Sequence, residues 1–120
     1  MSKARILIVD DERLNLNIMI SILSDDYEIV IAKNGKQALK RVEDQAPDLI
    51  LLDIVMPEMD GYTVFERIQE IPNGNKIPII FITSKRSPEE ETKGLQMGVV
   101  DYITKPFTPS IVQLRVANQI

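Results

Sequence analysis

With 120 residues, 44% of them hydrophobic and 27% charged, the chain has the size and balance of one globular domain with a real core. Its 14 Lys and Arg against 18 Asp and Glu leave a net charge of −4, which argues against a nucleic-acid surface, because that needs a concentrated basic patch. Cys and His are both absent, so disulfides, thiolate nucleophiles, Ser-His-Asp catalysis and His-rich metal sites are excluded, and any chemistry rests on carboxylates, hydroxyls and amines.

In chain order, "RILIVD" (5–10) is the first apolar run. Leu14, Ile18 and Ile22 then repeat every four residues, with Met19 and Leu23 alongside, which predicts a first helix. "YEIVIA" (27–32) is the second run, and Ala38, Leu39 and Val42 line one face of a second helix. "DLILLD" (48–53) is the third run, followed by Val64, Phe65, Ile68 and Ile71 on a third helical face. "IPNGNKIP" (71–78), the longest irregular piece, is turn chemistry. "IPIIFIT" (77–83) is the fourth run. The fourth helix starts at "SPEEE", with Ser87 as N-cap, Pro88 at the first helical position and Glu90 in the reciprocal place of a capping box. "VVDYIT" (99–104) is the fifth run, and the last helix starts at "TPS", with Thr108 as cap and Pro109 inside it. The apolar face of that helix is expected at Ile111, Leu114 and Ala117. The chain stops at Ile120 inside this pattern, so the full-length protein is expected to continue or to have been cut here.

Apolar runs this continuous are strands covered on both faces, hence parallel. Strand and helix alternating five times predict a doubly wound α/β domain with right-handed connections. There is no repeat, linker or low-complexity segment. No apolar stretch nears the ~20 residues of a membrane span, and "MSKARILIVDDE" has no secretory h-region or cleavage site. A cytoplasmic location is therefore expected.

Open α/β sheets bind ligands beyond the carboxyl ends of their strands, where strand order reverses. Asp10 and Asp11 end the first run and Asp53 ends the third. In a 2-1-3-4-5 order those strands are neighbours astride the reversal, and three carboxylates meet in one crevice. Unpaired, they repel and raise each other's pKa. A hard divalent cation resolves this, and an all-oxygen donor set with retained waters suits Mg²⁺. Alone, Asp11 reads as an N-cap, Thr83 as a strand-end cap and Lys105 as a solvated cation. Together, Thr83, Ser84 and Lys105 bring hydroxyls and an ammonium to the edge that carries the acids. A phosphoryl group beside Mg²⁺ needs such donors on its other oxygens.

The motifs "VDDE" (9–12), "DLILLDIVMPEMDG" (48–61), "IIFITS" (79–84) and "GVVDYITKPF" (98–107), in this order and spacing, resemble the response-regulator receiver domain of two-component signalling over essentially the full chain. The resemblance implies a flavodoxin-like sheet in the order 2-1-3-4-5 with five helices, residues 1–120 forming one receiver. It implies Asp53 as phosphoacceptor, fed by a sensor histidine kinase or a phosphotransfer protein. Asp10, Asp11, Asp53 and the backbone carbonyl of Val55 are then the Mg²⁺ ligands. Thr83 is the switch hydroxyl and Lys105 the counter-charge, and the Lys105–Pro106 peptide resembles one that is cis in the family. Tyr102 is the switch aromatic that turns inward when Thr83 moves. An effector domain, a partner or a second phosphorylated copy then reads the face made by the fourth helix, fifth strand and fifth helix. The unit catalyses its own modification and is not expected to turn over an external substrate, to bind nucleic acid directly or to touch membrane.

Ser84 and Val99 stand where the family usually has alanine, and Gly94 lies inside the fourth helix, where glycine costs about 1 kcal/mol relative to alanine. Asp60-Gly61 reads as a turn and cap. Asp25-Asp26 and Glu89 to Glu91 read as solvated surface, and Met56, Met59 and Met97 as packing. Two other readings remain on the same topology. A Mg²⁺-dependent phosphatase with an aspartyl nucleophile usually carries a second acid two residues on, where Val55 stands here. A flavin carrier needs a Ser/Thr/Gly-rich phosphate loop, where "DDERLN" stands here. The tail "SIVQLRVANQI" resembles those of receivers that lead into cyclic-dinucleotide enzymes. Stand-alone regulators and hybrid-kinase receivers share the rest of the pattern.

Overall fold

The computed structural model describes residues 3–84 and 87–120. Strands β1 (Arg5–Val9), β2 (Glu28–Ala32), β3 (Leu49–Asp53), β4 (Ile79–Thr83) and β5 (Asp101–Thr104) alternate with helices α1 (Arg13–Leu23), α2 (Gly35–Gln45), α3 (Gly61–Glu70), α4 (Pro88–Met97) and α5 (Pro109–Gln119). A 3₁₀ turn at Gly74–Lys76 fills part of the irregular stretch before β4. All strand pairs are parallel, in the order β2-β1-β3-β4-β5.

The pleat sorts the apolar runs onto two faces, because successive side chains alternate across a strand. Ile6, Ile8, Leu49, Leu51, Ile80, Ile82 and Ile103 meet α1 and α5 through Leu16, Met19, Leu23, Val112 and Val116. Leu7, Val9, Ile50, Leu52, Ile79, Phe81 and Tyr102 meet α2 and α3 through Ala38, Val42, Val64, Phe65 and Ile68. Each such side chain fully removed from water contributes roughly 1.5–3 kcal/mol, before the entropy of ordering it.

Helix α5 turns a different face inward from the one expected, and α1 does so in part: Met19 and Leu23 are buried as expected and Ile22 packs on the core. In α1 the stripe Leu16, Met19, Leu23 is buried, while Leu14 is 68% exposed and Ile18 also faces water. In α5, Val112 and Val116 are buried, while Ile111 and Leu114 are exposed. Both segments carry apolar residues on more than one face, so periodicity alone offers two stripes and the docking angle selects one.

Three helices have side-chain N-caps, two of them, Asp60 and Ser87, expected from sequence and the third, Asn34, not singled out there. Asn34 accepts from Gln37 N, Asp60 from Thr63 N, and Ser87 from Glu90 N. Thr108 holds the N-cap position of α5 but makes no side-chain cap bond. Residue 11 caps nothing either: the N-cap of α1 is Glu12, also without a side-chain bond. Met56 is buried, and Met59 and Met97 pack partly buried against the α2–α3 core.

Candidate functional site

The ends of β1 and β3 carry acids because each ladder runs one step past its last apolar residue. Asp10 N donates to Ala32 O at 3.1 Å, and Ile54 N to Ile82 O at 3.1 Å. These bonds fix Asp10 and Asp53 on adjacent strands, at equivalent depth below the edge. Asp10 is 1% exposed and Asp53 2% exposed. Asp10 Oδ1 accepts from Glu12 N at 2.9 Å, an Asx turn that leads the chain into α1. Asp53 Oδ1 accepts from Val55 N at 3.3 Å.

Lys105 follows β5, whose ladder also extends one step, Lys105 N donating to Thr83 O at 2.9 Å. Its ammonium lies 3.0 Å from Asp53 Oδ2 and 3.4 Å from Asp10 Oδ2. One cation therefore serves two buried carboxylates. The Lys105–Pro106 peptide is cis. Burial pushes the Asp53 carboxyl up from 3.8 to about 6, the charge of Asp10 adds to this, and Lys105 and Val55 N pull against it. Burial acts to lower the Lys105 ammonium, but its bond to Asp53 and the charges of Asp53 and Asp10 outweigh that and raise it.

Asp10 Oδ2 is buried and accepts no hydrogen bond among the described residues. Its partner among the described residues is the Lys105 ammonium at 3.4 Å, a long contact that leaves this buried acceptor under-satisfied. Carboxylate oxygens of Asp10, Asp11 and Glu12 lie within 4.8 Å of one another, with Asp11 and Glu12 open to solvent. Asp53 joins this cluster through Lys105 and through its electrostatic coupling to Asp10. A set of hard oxygen donors, one of them held only by a 3.4 Å ion pair, with one cation among the described residues shared by two buried carboxylates, fits a divalent ion such as Mg²⁺. Glu12 was legible only as the last letter of "VDDE"; its proximity to the two acids comes from the tight turn into α1.

Thr83 is buried at the end of β4. Tyr102 pairs with Phe81, and Thr104 with Thr83. Thr83 and Tyr102 thus stand diagonally on the same face of the sheet, the one covered by α3 and α4. Tyr102 is buried, its hydroxyl 2.9 Å from Glu90 O and 3.1 Å from Glu91 O. The expected acidic surface at Glu89 to Glu91 is therefore surface in its side chains only: Glu90 and Glu91 are half-buried, and their carbonyls hold the tyrosine. Ser84 is exposed. Val55 is 71% exposed at the mouth of the site.

Gly61 holds the loop against the end of β3. Its N–H donates to Ile54 O at 2.7 Å. A Cβ there would lie 2.5 Å from Asp53 O and 2.7 Å from Ile54 Cα.

The response-regulator receiver domain, as a family, matches residues 6–117. The chain belongs to that family. Among curated relatives, the receiver is 44% identical over 120 residues to a probable cyclic di-GMP phosphodiesterase of Vibrio cholerae, covering 100% of this chain and 27% of that protein. It is 35% identical over 113 residues to the alkaline phosphatase synthesis transcriptional regulatory protein PhoP of Bacillus subtilis, covering 93% of this chain and 46% of that one. The receiver thus spans less than half the length of either. Among solved structures, the chemotaxis protein CheY4 of Vibrio cholerae superposes with a TM-score of 0.94 at 27% identity, covering 99% of this chain and 100% of that one. The receiver domain of the sensor histidine kinase PA1611 from Pseudomonas aeruginosa, solved with a magnesium ion in its active-site cleft, gives 0.89 at 30% identity, with 98% of each chain covered. No helix among the described residues is long and apolar enough to cross a membrane.

Proposed function

We propose that this receiver takes a phosphoryl group onto Asp53 from a sensor histidine kinase or a phosphotransfer protein and reports it through α4, β5 and α5. The observation that carries the proposal is the buried Asp53 carboxyl, bound to Lys105 at 3.0 Å and raised in pKa by burial and by the charge of Asp10, which shares the same ammonium at 3.4 Å. Asp10, Asp11, Asp53 and the Val55 carbonyl are the proposed Mg²⁺ ligands. When bound, Mg²⁺ supplies positive charge that offsets the repulsion between carboxylate and phosphoryl oxygens.

An Asp53 carboxylate oxygen attacks phosphorus, the P–N bond to the donor imidazole breaks, and the nitrogen leaves with the electron pair. The product is an acyl phosphate on Asp53. Lys105 Nζ, already 3.0 Å from Asp53 Oδ2, is placed to meet the incoming phosphoryl oxygens, and Thr83 brings a hydroxyl. The acyl phosphate carries roughly −2, one negative charge more than the carboxylate it replaces, and draws the Thr83 hydroxyl toward it. Tyr102, diagonal to Thr83 on the same face, follows, and the population of two packings shifts.

Around the output face, Leu95, Ile111 and Leu114 are exposed, beside a bidentate ion pair in which Arg115 Nη1 lies 2.7 Å from Asp101 Oδ1. That mixture of apolar area and fixed charge suits an effector domain or a second phosphorylated copy. Residues 1–120 are proposed as one receiver unit of a longer cytoplasmic regulator. The 44% identical relative and the tail resemblance together favour a downstream unit that handles a cyclic dinucleotide. The phosphatase reading lacks its second acid, since Val55 fills that position.

Incubation with acetyl phosphate and Mg²⁺ tests the proposal by intact mass. One phosphoryl adduct is expected, lost without Mg²⁺ and lost in Asp53→Asn. No adduct, or one that survives Asp53→Asn, overturns it.

A further inference from the structure

Gly94 is the one residue of α4 that the structure buries. Its backbone is ordinary right-handed helix, so no turn or positive φ calls for glycine there. Space does. A Cβ at Gly94 would fall 1.8 Å from Tyr102 Oη and 2.8 Å from Tyr102 Cζ, with Phe81 Cδ2 at 3.2 Å. The first two contacts cannot exist, whereas Phe81 need only yield by a few tenths of an ångström. The ring enters from β5, passes beneath α4 and places its hydroxyl on the Glu90 and Glu91 carbonyls of that helix. Phe81 closes its other side with ring centroids 6.1 Å apart. Glycine weakens a helix interior about fivefold against alanine, so the missing side chain is a local conflict that needs a compensating contact.

We propose that Gly94 is a seat in α4 for Tyr102, which lets the ring lie inward in the unphosphorylated chain. Modification of Asp53 then deepens a packing that is already populated, and residue 94 sets how far the resting output face resembles the signalling one. This rests on the proposed role of Tyr102 as reporter, but its test uses no phosphoryl donor and no Mg²⁺, so it stands or fails separately from phosphorylation of Asp53.

The full chain is labelled with 3-fluorotyrosine and its three tyrosine resonances assigned by Tyr→Phe variants. Broadening by a soluble gadolinium chelate reads ring exposure. The Tyr102 resonance is expected to be protected in the native chain and to broaden several-fold more in Gly94→Ala. Urea unfolding adds a second reading. Gly94→Ala is expected to lower the folding constant at least tenfold more when Tyr102 is present than in a Tyr102→Ala background, where the helical preference for alanine is free to act. If Gly94→Ala does not fold, adding Tyr102→Ala must restore folding. A Tyr102 ring open to the chelate in the native chain overturns the proposal. So does an equal effect of Gly94→Ala in both backgrounds, or a double variant that stays unfolded.

Discussion

The edge beyond β1 and β3 and the seam between β5 and α4 both bury polar groups, and they hold them in opposite ways. At the edge, Asp10 and Asp53 share one ammonium, and among the described residues Asp10 Oδ2 has only that 3.4 Å contact. At the seam, the Tyr102 hydroxyl has two carbonyls in reach and occupies space left by a missing side chain. The first is an electrostatic deficit that a cation or an added group relieves; the second is a satisfied contact fixed by shape. Charge substitutions are therefore expected to act through the side chains at the edge, and volume substitutions at the seam and wherever backbone closes on backbone.

The sharpest test of that division is Gly61→Ala. It adds volume at the charged edge, 2.5 Å from the Asp53 carbonyl oxygen, against backbone that cannot swing aside. Its cost is expected at about 3 kcal/mol, the upper range for overpacking, measured by urea denaturation. A cost below about 1 kcal/mol contradicts the close approach.

Next is the pH dependence of the metal-free protein. Asp53 binds its proton more tightly folded, at about 6, than at its ordinary 3.8. The stability this gives is full below pH 3.8 and is lost as pH rises through about 6. Between those values the metal-free protein should lose stability relative to Asp53→Asn. Parallel profiles for the two proteins contradict it.

Mg²⁺ at a hundredfold excess over its dissociation constant is expected to stabilise the protein by about 2.7 kcal/mol, and Asp10→Asn to remove most of that. Equal stabilisation of both proteins moves the ion elsewhere.

The smallest effect falls on lifetime. Val55 places an exposed apolar group at the mouth, two residues past Asp53, beside the path of the attacking water. Val55→Asn should shorten the phosphorylated lifetime several-fold, about 1 kcal/mol of barrier. Equal lifetimes reject this role for Val55.

Strand count, sheet class and the convergence of Asp10, Asp53 and Lys105 were legible because continuous apolar runs ending in charge specify both the sheet and its ligand-binding edge. The buried face of α5 was not, nor in part that of α1, since Leu14 and Ile18 compete with Leu16, and Ile111 and Leu114 with Val112 and Val116. Gly94 read only as a weak point in a helix, because its partner Tyr102 lies on another element and the contact exists only once α4 docks over β5. Glu12 was hidden for a similar reason: the Asx turn at Asp10 brings it beside the other acids.

The most direct measurement maps the modified residue. Borohydride reduces an aspartyl phosphate to homoserine, so protein treated with acetyl phosphate and Mg²⁺, then reduced and digested, should carry homoserine at position 53 alone. Homoserine at position 10 or 11, or at none of the three, contradicts the account.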